Sequence, residues 1–167
     1  MHIHVCRHAQ AEATSVTGLD IDRPLTREGR LQARYLAGLM SGLLPPERPR
    51  RVVASPAERT LQTAQTIADE LGLTVSTDEV LLPTCSAGEA LSVIQELARG
   101  VPLLLVGHNP TVSSLVSMLM HGPSAGIQMS GPALRTGQMA TLWAGEGLQP
   151  GACRLIELHR YEPALAS

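Results

Sequence analysis

Aromatic side chains are nearly missing. The 167-residue chain has no Phe, one Trp and two Tyr, while 44% of it is hydrophobic, so any core must be built from Leu, Val, Ile, Ala and Met. Cysteine is scarce too: Cys6, Cys85 and Cys153 are odd in number, widely spaced and without a CxxC pair, which argues against a disulfide framework and reads as reduced thiols. Excess charge is lacking. Thirteen Lys and Arg against fifteen Asp and Glu leave a formal charge of -2, which gives no long-range attraction for nucleic acid or an anionic membrane. Any anion must therefore be recognised locally. Arg48, Arg50 and Arg51 form the densest basic cluster, but with interleaved prolines and Glu47 beside them they read as a solvated loop. No apolar run approaches the roughly 20 residues that span a bilayer, and no basic segment with an apolar run behind it opens the chain. A cytoplasmic, soluble protein is expected.

The length suits one domain, expected over residues 1–162, with 163–167 as a frayed tail. Ile3 and Val5 alternate with His2, His4 and Cys6 in a short β-type run. Arg7 and His8 then fall at the carboxyl end of that strand, the edge at which open α/β sheets bind ligands. Residues 12–24, with Thr14, Ser15, Thr17, Gly18, Asp20, Asp22 and Pro24, read as a loop bordering that edge. Thr26 predicts the N-cap of a helix from about Arg27 to Met40, with Leu31, Tyr35, Leu36, Leu39 and Met40 inward.

Arg51–Ala54 reads as a second strand. Ser55-Pro56-Ala57-Glu58 predicts a capping box that opens a helix with Leu61, Ala64, Ala68 and Leu71 inward and Gly72 at its end. Arg59 would sit in the first turn, where free N–H groups already favour an anion. A short strand is expected at Leu73–Val75, a solvated turn at Asp78 and Glu79, and a second capping box at Ser86-Ala87-Gly88-Glu89. Leu103–Val106 is a continuous apolar run and so a buried strand. Gly107-His108-Asn109-Pro110 follows it, with Asn109 expected as N-cap and Pro110 as first helical residue. Residues 121–138 read as a long Gly-, Pro- and Ser-rich loop. Met139–Trp143 and Arg154–His159 read as a terminal hairpin across Gly145-Glu146-Gly147.

Three strand-to-helix junctions thus collect Arg7, His8, Arg59 and His108 at one sheet edge. Two guanidiniums match the geometry and charge of a phosphoryl group. An imidazole neutral near pH 7 can attack phosphorus, and a second, protonated one can stabilise the transferring oxygens. The set predicts phosphoryl transfer through a phosphohistidine, with no metal or other cofactor.

Four segments, in order, resemble the histidine phosphatase (phosphoglycerate mutase-like) superfamily: Arg7-His8-Ala9, Arg23-Pro24-Leu25-Thr26-Arg27-Glu28-Gly29, Ser55-Pro56-Ala57-Glu58-Arg59-Thr60-Leu61-Gln62-Thr63-Ala64 and Val106-Gly107-His108-Asn109-Pro110. The small size resembles the SixA-type branch, which acts on protein phosphohistidine. The resemblance implies a three-layer α/β/α fold with a central, mostly parallel sheet. It implies that His8 is the phosphorylated nucleophile and that Arg7, Arg59 and His108 line the phosphate pocket, with Arg23 and Asn109 as further candidates for substrate binding. It implies a substrate that is a phosphoprotein, such as a histidine phosphotransfer protein, or a small phosphate ester. The pattern departs from the family at Ala9, where Gly is usual, and Glu79 is the one acidic residue near the region of the larger members' proton donor.

Two rivals remain. His2, His4, Cys6 and His8 share one face of a strand and are metal-ligand types, but alternate residues rise about 7 Å, so four cannot surround one ion. Alternatively, Ala9 marks a pocket that binds phosphate without turning it over.

Overall fold

In the computed structural model, which describes residues 1–124, 131, 133–145 and 147–163, six strands form a single sheet. They are β1 (His2–Arg7), β2 (Arg51–Ala54), β3 (Val75–Thr77), β4 (Leu103–Gly107), β5 (Gln138–Ala144) and β6 (Cys153–Arg160), in the order β3-β2-β4-β1-β5-β6. The pairs β3-β2, β2-β4 and β4-β1 are parallel, and β5 runs antiparallel to both of its neighbours. The helices are α1 (Arg27–Gly42), α2 (Glu58–Leu71), α3 (Ala87–Ala98) and α4 (Thr111–His121).

Strand periodicity sorts the core into two halves. Ile3, Val5, Leu103 and Leu105 pack against α3 and α4 through Leu91, Ile94, Leu115 and Leu119. Cys6, Val52, Ala54, Leu104 and Val106 pack on the opposite face against α1 and α2 through Leu36, Met40, Ala64 and Ile67. Side chains on alternate residues of a strand point to opposite faces, and β1 and β4 are apolar or buried on both, as strands covered by helices on both sides must be. The result is a three-layer α/β/α fold with a mostly parallel sheet. No described helix is long and apolar enough to cross a membrane.

Several local expectations are corrected. Tyr35 is exposed and meets the ring of Tyr161 at 5.9 Å, and Ala33 and Ala37 take the inward places on α1. The crowding of α1 against α2 favours these small residues. The second capping box does form at Ser86 and Glu89, but the first does not: α2 starts at Glu58 after Ala57, whose side chain cannot cap, and Ser55 is drawn into the site instead. Asn109 is likewise no cap, since Pro110 precedes α4 and the Asn109 amide binds elsewhere. The third strand begins two residues later than expected because Gly72, at φ 66°, and the Leu73 N–H are still closing the end of α2 on Ala68. In the basic cluster Arg50 and Arg51 are exposed, as a solvated loop requires, while Arg48 donates to the Ser41 and Leu43 carbonyls at the end of α1 and Arg51 to the Leu97 carbonyl. Much of the 121–138 loop and Glu146 of the hairpin turn lie outside the described residues, as do 164–167 of the tail.

Candidate active site

Sheet register assembles the site. Arg7 pairs with Gly107 and Ala54 pairs with Val106, so β1, β4 and β2 end level with one another. The ladder runs one step further: His8 N–H donates to the Gly107 carbonyl at 3.0 Å, and Ser55 N–H to the Val106 carbonyl at 3.1 Å. His8, His108 and Ser55 are therefore set side by side by backbone alone. The His8 and His108 ring centroids lie 5.0 Å apart. The strand order doubles back beside this point, β4 lying between β1 and β2, which is where a parallel sheet opens a ligand crevice.

The crevice is a cavity of about 340 Å³ lined by Arg7, His8, Gln10, Arg23, Arg59, His108, Asn109 and Thr136 among others. A larger cavity, about 520 Å³, lies beside Met1, Gln95 and Leu148, but its described lining has no ionisable side chain, so the smaller one holds the chemistry. Glu79 does not line the site; it is an exposed residue of the 3₁₀ turn that follows Asp78.

His8 is held in a defined tautomer. Its Nδ1 lies 2.8 Å from the Ala9 carbonyl oxygen, which can only accept, so Nδ1 carries the proton and Nε2 keeps a lone pair. Burial lowers its pKa from 6.5 to about 4, with Arg59, Arg7 and Arg23 adding to the effect and the Ala9 hydrogen bond opposing it. It is neutral at pH 7. His108 is neutral as well: burial first, then His8 and Arg59, push it to about 3. Its Nε2 lies 2.7 Å from Ser55 Oγ, which in turn lies 2.8 Å from Thr60 Oγ1. Thr60 donates back to the Ala57 carbonyl. The single protons of the two hydroxyls then run one way, Ser55 to Thr60 to Ala57, so Ser55 Oγ accepts from His108 Nε2–H. His108 Nδ1 makes no hydrogen bond among the described residues.

Each guanidinium has oxygen partners of its own. Arg7 Nη1 donates to the Leu134 carbonyl at 3.3 Å, and Asn109 Nδ2 donates to the same oxygen at 2.8 Å, while Ser113 donates to Asn109 Oδ1. Asn109 thus ties the His108 loop to residue 134. Arg59 is buried, 5% exposed, and its Nη1 and Nη2 donate to the main-chain oxygen and Oδ2 of Asp20 at 2.7 and 3.0 Å. Arg23 Nε donates to Asp20 Oδ1 at 2.8 Å and Nη1 to the Glu12 carbonyl.

Ala9 proves compatible with the pocket. Its methyl is fully buried with Leu25 and Ala33, while its N–H donates to Thr63 Oγ1. The close approach falls to Gly29, where a Cβ would come within 2.0 Å of the Gln10 carbonyl oxygen. The metal reading is not supported: His4 is engaged by Thr141 and the Glu47 carbonyl, and no cluster of three His, Cys, Asp or Glu among the described residues could hold an ion. Asp20, Ser55, Thr60 and Thr63 escaped the reading of the sequence as site residues. Only the spacing of Asp20 and Arg23, one turn apart, hinted at a local ion pair.

A crevice lined by two histidines and three arginines thus lies at the end of a mostly parallel sheet. The model of the histidine phosphatase superfamily (branch 1) matches residues 3–82, just under half of the chain, and over those residues the chain is similar to that superfamily. A search of curated proteins gives no match. Among solved structures, the protein histidine phosphatase SixA complexed with tungstate is 26% identical, with a TM-score of 0.79 over 96% of this chain and 97% of that one. A putative phosphohistidine phosphatase SixA from Nakamurella multipartitia is 25% identical, with a TM-score of 0.77 over 98% and 96%. A counterpart from Agrobacterium tumefaciens is 24% identical, with a TM-score of 0.74 over 95% and 96%, and shares the fold.

Proposed function

We propose that this protein is a phosphatase that hydrolyses a phosphorylated side chain, protein phosphohistidine first among them, through a covalent phosphohistidine on His8. The observation that carries the reading is the tautomer of His8, a neutral ring with Nδ1–H fixed on Ala9 and Nε2 free beside three arginines. In the first step the Nε2 lone pair forms a bond to phosphorus as the bond from phosphorus to the leaving nitrogen breaks. Arg7 and Arg59 hold the non-transferring oxygens and offset their charge. A phosphoryl dianion raises the pKa of His108, which takes up a proton and donates from Nδ1 to an oxygen while Nε2–H stays on Ser55. In the second step water attacks phosphorus, releases phosphate and returns Nε2 its electron pair.

The substrate class rests on the leaving group. An imidazole can leave already protonated near neutral pH, so it needs no proton donor of the kind that Glu79 fails to place here. The reading is supported by the likeness to SixA, described as a protein histidine phosphatase, and to a SixA described as a putative phosphohistidine phosphatase. Tungstate, bound by one of them, is a tetrahedral oxyanion like phosphate.

Rapid-quench mass spectrometry with a phosphohistidine protein tests the whole. Wild type should carry an acid-labile phosphoryl group on the His8 peptide and release phosphate, whereas His8→Ala should do neither. Phosphate binding with neither label nor release would make the pocket a binding module. Faster release from small esters than from the phosphoprotein would overturn the substrate assignment, and release without label would require another nucleophile.

A further inference from the structure

Asp20 takes up the donors of a guanidinium that lines the cavity. Its Oδ2 and main-chain oxygen take one hydrogen bond from each terminal nitrogen of Arg59, the guanidinium that lies deepest at the start of α2. The Arg59 side chain is 7% exposed and its Nε has no hydrogen-bond partner among the described residues; Arg59 lines the cavity, and Asp20 engages both of its terminal nitrogens. The two partners are unequal. Arg59 lies on the buried face of α2, whereas the Asp20 side chain is 70% exposed on a single 3₁₀ turn within the 12–24 loop. The other carboxylate oxygen, Oδ1, is held by Arg23, three residues away in the same loop. Separating Asp20 from Arg59 therefore leaves its carboxylate paired within its own loop and in water.

We propose that the Asp20 carboxylate is a displaceable counter-anion, which occupies Arg59 in the free enzyme and yields it to the phosphoryl group. This rests on reading the crevice as a phosphoryl pocket. The exchange follows from charge. A buried guanidinium without an anion is costly, and Asp20 supplies one while the pocket is empty. A phosphoryl dianion carries more charge and more acceptor atoms than a carboxylate, so it wins the guanidinium, but only by the difference between the two. That difference sets a weaker affinity for phosphate than the three arginines alone would give. Product phosphate is released as Asp20 returns to Arg59. Asp20 stays ionised throughout neutral pH, since its arginine partners hold its carboxyl below the usual range.

The same contact could instead position Arg59, and the two roles predict opposite signs. If Asp20 competes, Asp20→Asn should tighten inorganic phosphate binding by about two- to fivefold, the range expected for removing a largely exposed charge from a guanidinium. If Asp20 positions Arg59, the same variant should bind phosphate more weakly. Asp22→Asn is the control: it removes one charge from the same 3₁₀ turn, and among the described residues the Asp22 carboxylate accepts only from Thr17. Titration calorimetry of inorganic phosphate into wild type and both variants decides. A gain confined to Asp20→Asn is the expected result. An equal gain in both variants would reduce the effect to general electrostatics and overturn the proposal, as would unchanged or weaker binding in Asp20→Asn. Absence of phosphate binding in wild type would bring down the phosphoryl-pocket reading itself, and this proposal with it.

Discussion

Ser55 shows how a residue can satisfy a sequence rule and serve another purpose. Its position before Pro56 and three residues from Glu58 fits a helix cap, yet its hydroxyl accepts from His108 and donates toward Thr60. Ser55→Ala removes the acceptor that keeps the His108 proton on Nε2, so the ring loses its orientation. The expected result is a fall in kcat of about tenfold or more, by analogy with other lost general-acid or oxyanion partners, with KM little changed in steady-state assays. Stability should fall by about 1 kcal/mol for the lost buried hydrogen bond, read by urea denaturation. Ala9 separates packing from chemistry. Because its methyl fills a small core with Leu25 and Ala33, Ala9→Gly should cost about 1 kcal/mol of stability while leaving turnover within about twofold.

At the scale of elements, α1 is positioned by what it lacks. Gly29 faces the Gln10 carbonyl so closely that a methyl group cannot be placed there, and Thr26 N–H donates to that same oxygen at 3.0 Å. Gly29→Ala must push the start of α1 off the loop that follows His8. A loss of several kcal/mol is expected, in the range of severe overpacking, together with impaired turnover. Gly38, on the exposed side of the same helix, has no neighbour near a would-be Cβ. Gly38→Ala should therefore stabilise the fold by about 0.5–1 kcal/mol, with activity unchanged. Thermal melts of the two variants should move in opposite directions. Helix propensity cannot separate these glycines, because the difference lies in what the tertiary structure brings against them.

For the whole molecule, acid is the weak side. Burial holds His4 and His8 down to about 4 and His108 to about 3, whereas all three take protons near 6.5 once unfolded. Below pH 6.5 the unfolded chain binds protons first, so stability falls with pH. The contribution is fully present above 6.5 and is lost progressively as pH drops through 4. His4 carries its part outside the site: Nε2–H donates to the Glu47 carbonyl at 2.9 Å, and Nδ1 accepts from Thr141 at 3.0 Å, which leaves no place for a second proton. Urea midpoints measured from pH 7.5 to 4.5 should decline below 6.5. A His4→Gln variant should be less stable at neutral pH and show a shallower decline.

The strands, the helices and the placing of Arg7, His8, Arg59 and His108 at one sheet edge were determined by the sequence, because local periodicity, capping residues and strand-to-helix junctions are short-range properties. Its motif order carried the resemblance to the superfamily as well. What only the tertiary structure decided lies in contacts between distant segments. The level ends of β1, β2 and β4 bring His8 within 5.0 Å of His108, ring to ring. The Ala9 methyl turns into a small core, Ser55 turns from helix cap to His108 acceptor, and Asp20 crosses from its loop to Arg59, 39 residues away. Each of these partners is chosen by which surfaces the sheet and helices bring together. That choice is made by packing of the whole chain, and no spacing along it can announce the result.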